Sequence, residues 1–337
     1  MASDRRTGQS GTVVDEALAY WLGSPGQGEI RPVSLPARGA DDVVVRTVRS
    51  GVSRGTEALV FRGDVPPGQY SAMRAPFQEG EFPGPVKYGY LNVGVVEDGP
   101  AALRGRTVFC LFPHQTRYVV PAASVVVVPD GVPASRAVLA GTVETAVNAL
   151  WDAAPLVGDR VSVVGAGMVG CCVARLLAGI PGADVELVDV DDAKARVADD
   201  LGVGFALPAE ARRERDLVLH TSATSAGLQL ALDLLVPDGT VVDLSWYGDA
   251  PVHLELGSAF HSRRLTVRAS QVGAVARSRR DTRSTRDRLA LALELLRDPA
   301  FDALLTGESE FQELPDVMTR LAAGRLPGLC HTIAYRG

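Results

Sequence analysis

Three glycines spaced Gly165-x-Gly167-x-x-Gly170 leave the short apolar run Val161-Ser162-Val163-Val164. Asp189 follows nineteen residues after the last of them, at the end of Val185-Glu186-Leu187-Val188. Of all the residues in the chain, these have the spacing that points most directly to a ligand. Gly165 permits a tight turn, Gly167 lets backbone approach a pyrophosphate, and Gly170 lets a helix pack closely on a strand. Met168 and Val169 then open a helix whose free N–H groups and positive dipole end suit phosphate. Asp189 is placed to bind the adenosine ribose hydroxyls and to repel a 2′-phosphate, so NAD(H) is expected in preference to NADP(H). Lys194 either flanks that ribose or is a solvated helix-face lysine. Arg175 and Arg196 lie near enough to soften the discrimination against a 2′-phosphate.

The elements that must position these residues follow from the pattern around them. From Asp42 to about Pro129, short β-type runs alternate with Gly, Pro and Asp turns, including Val43–Val48, Val93–Val96, Thr107–Cys110, Tyr118–Val120 and Val125–Val128. That pattern predicts a small β-rich, barrel-like domain. Ala134–Ala154 reads as helical. Strand and helix then alternate through the glycine turn, Val185–Asp189, Leu217–Leu219 and Gly239–Leu244. Such alternation predicts a parallel sheet covered on both faces. Leu289–Leu296 and the segment opening at Phe311 are predicted helices, and Cys330–Tyr335 is a predicted last strand.

Composition bounds the function. A chain of 337 residues, 46% of them hydrophobic, is long enough for two domains with sizeable cores. Its formal net charge of −6 argues against nucleic acid or an anionic membrane as partner. No run approaches the roughly twenty apolar residues of a membrane span, and Met1–Ser10 is polar without a signal-peptide core, so a cytoplasmic protein is expected. Four scattered cysteines give no disulfide framework, and Cys171 and Cys172 read as packing residues of the first nucleotide-domain helix. The arginine-rich stretch Arg277–Arg288, interleaved with Asp281 and Asp287, reads as a solvated face.

The whole chain resembles the medium-chain dehydrogenase/reductase superfamily, which includes the zinc alcohol dehydrogenases. The likeness rests on Ser50-Gly51-Val52-Ser53-Arg54-Gly55-Thr56-Glu57, Gly89–Val96, Tyr118–Ala122, Gly141-Thr142-Val143-Glu144-Thr145-Ala146 and the glycine turn. Gly-Val-Ser-Arg-Gly-Thr-Glu is also similar to the bacteriochlorophyllide dehydrogenase-like branch. The resemblance implies an α/β protein with two domains. One is a GroES-like β-rich catalytic domain over 1–142 and 274–337, and the other a Rossmann doubly wound parallel-sheet domain over 143–273. It also implies a homodimer acting on a small-molecule substrate.

Carried over residue by residue, the family's catalytic zinc ligands fall on Ser53, Tyr90 and Gly141, and its four-cysteine zinc lobe is missing. Serine, tyrosine and glycine do not make a tetrahedral zinc site, so no zinc is expected. A displaced site from Cys110, His114 and Glu57 is the alternative. Without a Lewis acid, a developing alkoxide still needs a proton donor. The resemblance places Thr56, Glu57, Tyr90 and the His114 loop at the catalytic cleft, with Lys87 as a further donor or anion holder. Tyr90 could instead fill the vacated metal cavity, His114 could be an exposed loop histidine, and Glu57 could orient either group or pair with Arg54. Thr145 and Ser222 are expected near the nicotinamide and its ribose, Trp246 and Tyr247 as pocket walls, and Phe61–Phe82 as a substrate lid. Arg74, Lys87, Arg263 and Arg264 hint at an anionic or polyhydroxylated substrate. The expected activity is zinc-independent, NAD(H)-dependent hydride transfer on an alcohol/carbonyl pair. The alternatives are an enoyl- or quinone-type double-bond reductase and a non-catalytic NAD-binding sensor or scaffold.

Overall fold

The computed structural model describes residues 16–336, so the Met1–Ser10 reading lies outside the described residues. The chain opens with a hairpin that the pattern reading, starting at Asp42, does not contain: β1 (Glu16–Ser24) and β2 (Gln27–Ser34), joined at Pro25-Gly26. Next come β3 (Asp42–Val52), helix α1 (Arg54–Arg62), the short β4 (Glu79–Gly80) and β5 (Val86–Lys87), then β6 (Asn92–Asp98), β7 (Thr107–Cys110), β8 (Arg117–Pro121) and β9 (Val125–Val127). Helices α2 (Ala134–Ala137) and α3 (Ala140–Ala153) take up the predicted helical stretch.

Strand and helix then alternate. The series is β10 (Arg160–Val164), α4 (Met168–Ala178), β11 (Asp184–Val188), α5 (Lys194–Asp200), β12 (Gly204–Ala206), β13 (Arg215–His220), α6 (Ser225–Asp233), β14 (Leu235–Asp243), α7 (Ala259–Ser262) and β15 (Thr266–Ala269). The six strands form one parallel sheet in the order β12-β11-β10-β13-β14-β15. The strand order reverses between β10 and β13, and the crevice beyond the carboxyl ends there is where a doubly wound sheet binds its ligand. The glycine turn after β10 and Ser222 after β13 flank that point. After α8 (Thr285–Leu295), strand β16 (Leu305–Glu310), α9 (Leu314–Ala322) and β17 (Cys330–Ala334) return to the first half of the chain. There β17 pairs antiparallel with β3, completing a sheet with β6, β7 and β9.

The largest core lies between the parallel sheet and α3, α4 and α8. Cys171, Cys172, Ala174 and Leu177 of α4 are buried against Val161, Val163 and Leu187, so both cysteines are packing residues as read. A second core joins α1 to α9 through Leu59, Phe61, Val317 and Met318. Arg288 departs from the solvated-face reading. Residues 277–287 are exposed, but Arg288 is 1% exposed. It pairs with the buried Glu144 and also bonds Asn148 and the Val272 and Ala274 carbonyls.

Candidate active site

A cleft of about 730 Å³ opens where the parallel sheet meets α1. Its floor is the glycine turn. Gly165 sits at φ +109°, a region that disfavours any side chain, and a Cβ there would stand 2.7 Å from the Ser222 backbone nitrogen. A Cβ on Gly170 would run into the Gly165 carbonyl, so the first turn of α4 can lie against the strand end only with glycine there. At Gly167 a Cβ would meet nothing within 4 Å, so packing does not demand glycine, and the position faces the open cleft. No side chain caps α4, which leaves its first-turn amides free for an anion. Replacing Gly170 by alanine is expected to cost about 1–3 kcal/mol or more through backbone overpacking. A lowered urea midpoint with weakened nucleotide binding is the readout.

Met168, Val169, Asp189, Lys194 and Ser222 all line this cleft. One Asp189 oxygen accepts the Ala166 N–H at 2.6 Å and the other accepts the Asp191 N–H at 3.0 Å. The carboxylate is thus fixed against the glycine turn. Lys194 Nζ lies 3.7 Å from Asp191, and Arg175 turns away to Asp298. Trp246 and Tyr247 form a wall, as expected. Thr145 does not reach the cleft, because its hydroxyl donates back to the Gly141 carbonyl within α3.

Opposite the glycine turn, Ser53, Arg54, Thr56, Leu59 and Arg62 line the cleft. Tyr90 stands behind Ser53, and its hydroxyl donates to Ser53 Oγ at 2.7 Å. Burial pushes the Tyr90 phenol up to about 12, helped by the Glu57 charge and opposed by hydrogen bonds with Ser53 and Thr56. A phenol held that high stays protonated through the ordinary working range, so it remains a donor and Ser53 keeps its own O–H to offer. Ser53 carries no side-chain cap bond to α1, so that proton is not committed to the helix. The sequence presents Ser53 only as a missing ligand. Its role as a cleft-facing hydroxyl emerges from the Tyr90 contact.

Glu57 and His114 are both buried, at 3% and 1% exposure, which overturns the exposed-loop reading of His114. Glu57 Oε1 accepts the Ser53 N–H at 2.8 Å, and Oε2 lies 2.9 Å from His114 Nε2. His114 Nδ1 is 2.7 Å from Ser50 Oγ, which is 2.9 Å from the Tyr335 hydroxyl. The dyad therefore supports Ser53 from behind and does not enter the cleft. Arg54 bonds the Gly328 carbonyl, leaving Glu57 to His114.

The three positions of the family's zinc ligands do not assemble a metal site. Ser53 and Tyr90 bond each other, and a Cβ on Gly141 would stand 2.6 Å from a Leu91 methyl. Both His114 nitrogens are engaged, and the Cys110 thiol, pushed up to about 12 by burial, contacts the Ser124 carbonyl. Among the described residues no three His, Cys, Asp or Glu side chains come together as a ligand set.

Other expectations need correction. Lys87 is 1% exposed and lines a separate pocket of about 220 Å³ with Phe112 and Gln115. It is paired there with Glu79, and burial holds its ammonium below the usual lysine range despite that partner. It does not line the cleft. Of the segment 61–82, only Arg62 lines the cleft. Phe61 and Phe82 are core residues, and Arg74 is spent on Gln78, Gly80 and Glu81, so the segment is not a lid. Arg263 and Arg264 pair at the surface with Glu214 and Asp238.

No protein-family model matches the chain, and no curated protein matches it. Solved structures do. The RspB alcohol dehydrogenase of Escherichia coli CFT073, solved with NADH, is 16% identical over 95% of this chain and 99% of its own, with a TM-score of 0.76. A putative zinc-binding dehydrogenase of Sinorhizobium meliloti 1021 bound to NADP is 17% identical over 95% and 99%, with a TM-score of 0.75. A thermostable alcohol dehydrogenase of Pyrobaculum aerophilum is 20% identical over 95% and 100%, also at 0.75. Together these likenesses establish that the chain shares the overall fold of these dehydrogenase structures.

Proposed function

We propose that the chain is a zinc-independent, NAD(H)-dependent oxidoreductase that moves hydride between nicotinamide and an alcohol/carbonyl pair. The observation that carries this reading is the Ser53 hydroxyl, backed by Tyr90, in the same cleft as an uncapped glycine turn. The glycine turn and the α4 amides would hold the pyrophosphate, Asp189 and Lys194 the adenosine ribose, and Ser222 the ribose nearer the chemistry. Bound NAD(H) would supply the hydride donor or acceptor. Asp189 favours NAD(H), since a 2′-phosphate beside an ionised carboxylate is repelled.

Ser53 Oγ gives its proton to the alkoxide oxygen as charge develops there, the Tyr90 hydroxyl stabilises the Ser53 oxygen by continuing to donate to it, and Ser53 then takes a proton from water entering the cleft. Fixed donors at a developing oxyanion are among the largest contributions a site can make. Leu59, Leu244 and Trp246 surround the cleft with apolar surface that limits competition from water, while Arg54 and Arg62 leave it able to accept polar groups. Zinc independence rests on the donor chemistry of Ser53, Tyr90 and Gly141, which leaves an O–H group to do what a Lewis acid would otherwise do.

The test is product analysis with NADH deuterated at C4 across a panel of carbonyl and α,β-unsaturated substrates. Label on a carbinol carbon is expected. Label β to a carbonyl would replace this reading with the double-bond reductase. Saturable NADH binding without transfer to any substrate would point to the sensor.

A further inference from the structure

At the carboxyl ends of β13 and β14 lies a second group of reactive side chains, His220, Asp243 and Ser222, of which the hydride-transfer reading uses only Ser222, and that for binding. His220 and Asp243 are register partners on these neighbouring strands, and His220 Nδ1 lies 2.9 Å from Asp243 Oδ1. His220 Nε2 lies 2.7 Å from Ser222 Oγ, two residues on. His220 is fully buried, whereas Ser222 is half-buried and lines the cleft. The Asp243 carboxylate also accepts the Ser245 N–H at 3.0 Å and the Tyr247 hydroxyl at 2.9 Å. Burial acts to raise its pKa, but these bonds and His220 outweigh it and hold the carboxyl below its usual range. An ionised carboxylate only accepts, so Nδ1 carries the donated proton. In the neutral ring Nε2 is then the acceptor for the Ser222 O–H.

That is the arrangement of a nucleophile, a general base and an orienting acid, recognised by geometry and not by order in the chain. We propose that Ser222, His220 and Asp243 form an acyl-transfer centre that cleaves small carboxylic esters in the cleft. Ser222 Oγ attacks the ester carbonyl while its proton passes to His220 Nε2. The bond to the leaving oxygen breaks as His220 returns that proton to it. Water then attacks the acyl-serine with His220 again taking the proton, which releases the carboxylic acid and restores Ser222. The net reaction is ester plus water to acid plus alcohol, with no change of oxidation state. Donors for the tetrahedral oxyanion come from the uncapped first turn of α4. That turn opens on the same cleft, and the Gly165 turn before it lies directly against the Ser222 backbone. No cofactor enters the reaction; it uses Ser222 and the α4 amides that the hydride-transfer reading gives to NAD(H), so the ester and the nucleotide would occupy the cleft in turn.

The experiment treats the whole protein with a fluorophosphonate probe, locates the adduct by peptide mass spectrometry, and follows hydrolysis of p-nitrophenyl acetate. Reaction at Ser222 forms the Oγ–P bond and releases fluoride. Wild type is expected to carry the label on Ser222 and to hydrolyse the ester. Ser222→Ala should lose both, and His220→Gln should lose at least 10²-fold in labelling rate while keeping its circular dichroism spectrum. Absence of label on Ser222, or equal labelling of His220→Gln and wild type, would overturn the proposal.

Discussion

Ser53→Ala is expected to lower kcat about 10²–10³-fold, equivalent to about 3–4 kcal/mol of transition-state stabilisation, with little change in KM for NADH. The substitution removes a cleft-lining hydroxyl to which Tyr90 donates. Tyr90→Phe keeps the Ser53 hydroxyl and loses one hydrogen bond behind it, so about a tenfold loss is expected. With the phenol held near pH 12, ionisation of Tyr90 should leave no alkaline limb below about pH 11 in the kcat profile. Steady-state kinetics of the two variants with one carbonyl substrate would check the order of effects. A Ser53→Ala enzyme with wild-type kcat would remove Ser53 from the mechanism.

Arg288→Ala is expected to destabilise the folded chain by about 3–5 kcal/mol, because it strands a buried carboxylate. Arg288 reaches from α8 to Glu144 and Asn148 on α3 and to the carbonyls of the 272–274 loop, tying α8 to α3 and to the loop that follows β15. Burial already raises the Glu144 carboxyl above its usual range, with Arg288 pulling the other way. Without the guanidinium it rises further. A carboxyl whose folded pKa is raised binds protons more readily folded than unfolded, so its penalty grows as pH rises past the unfolded value. The loss in urea midpoint for Arg288→Ala should therefore be larger at pH 8 than at pH 5. An equal loss at both would assign the effect to packing alone.

The parts of the molecule legible in the sequence are those whose causes are local. The glycine turn, its helix and Asp189 lie within one βαβ unit, and the geometry follows from steric demands at Gly165 and Gly170 that neighbouring residues impose. Parallel strands follow from alternation, and Trp246 and Tyr247 reach the cleft because a strand end delivers them there. What the pattern does not contain is set by distant partners. Strand β1 begins Glu16-Ala17-Leu18-Ala19, a run without a β-branched or aromatic residue that becomes a strand by bonding the distant 114–116 segment as well as β2, which buries Ala17 and Ala19. Lys87 is drawn from the cleft by Glu79 and Gln115, and His114 inward by Ser50 and Glu57. Ser53 is overlooked because a residue type that disqualifies a zinc ligand is itself a hydroxyl donor. The His220–Asp243 pair depends on strand register, which the sequence alone leaves open.

The most direct test of the central claim is a fluorescence titration of chelator-stripped protein with NADH and with NADPH, with zinc content measured on the same sample. The account predicts saturable NADH binding by metal-free protein, with NADPH at least tenfold weaker because of Asp189. Tighter binding of NADPH, or NADH binding that appears only when zinc is restored, would contradict it.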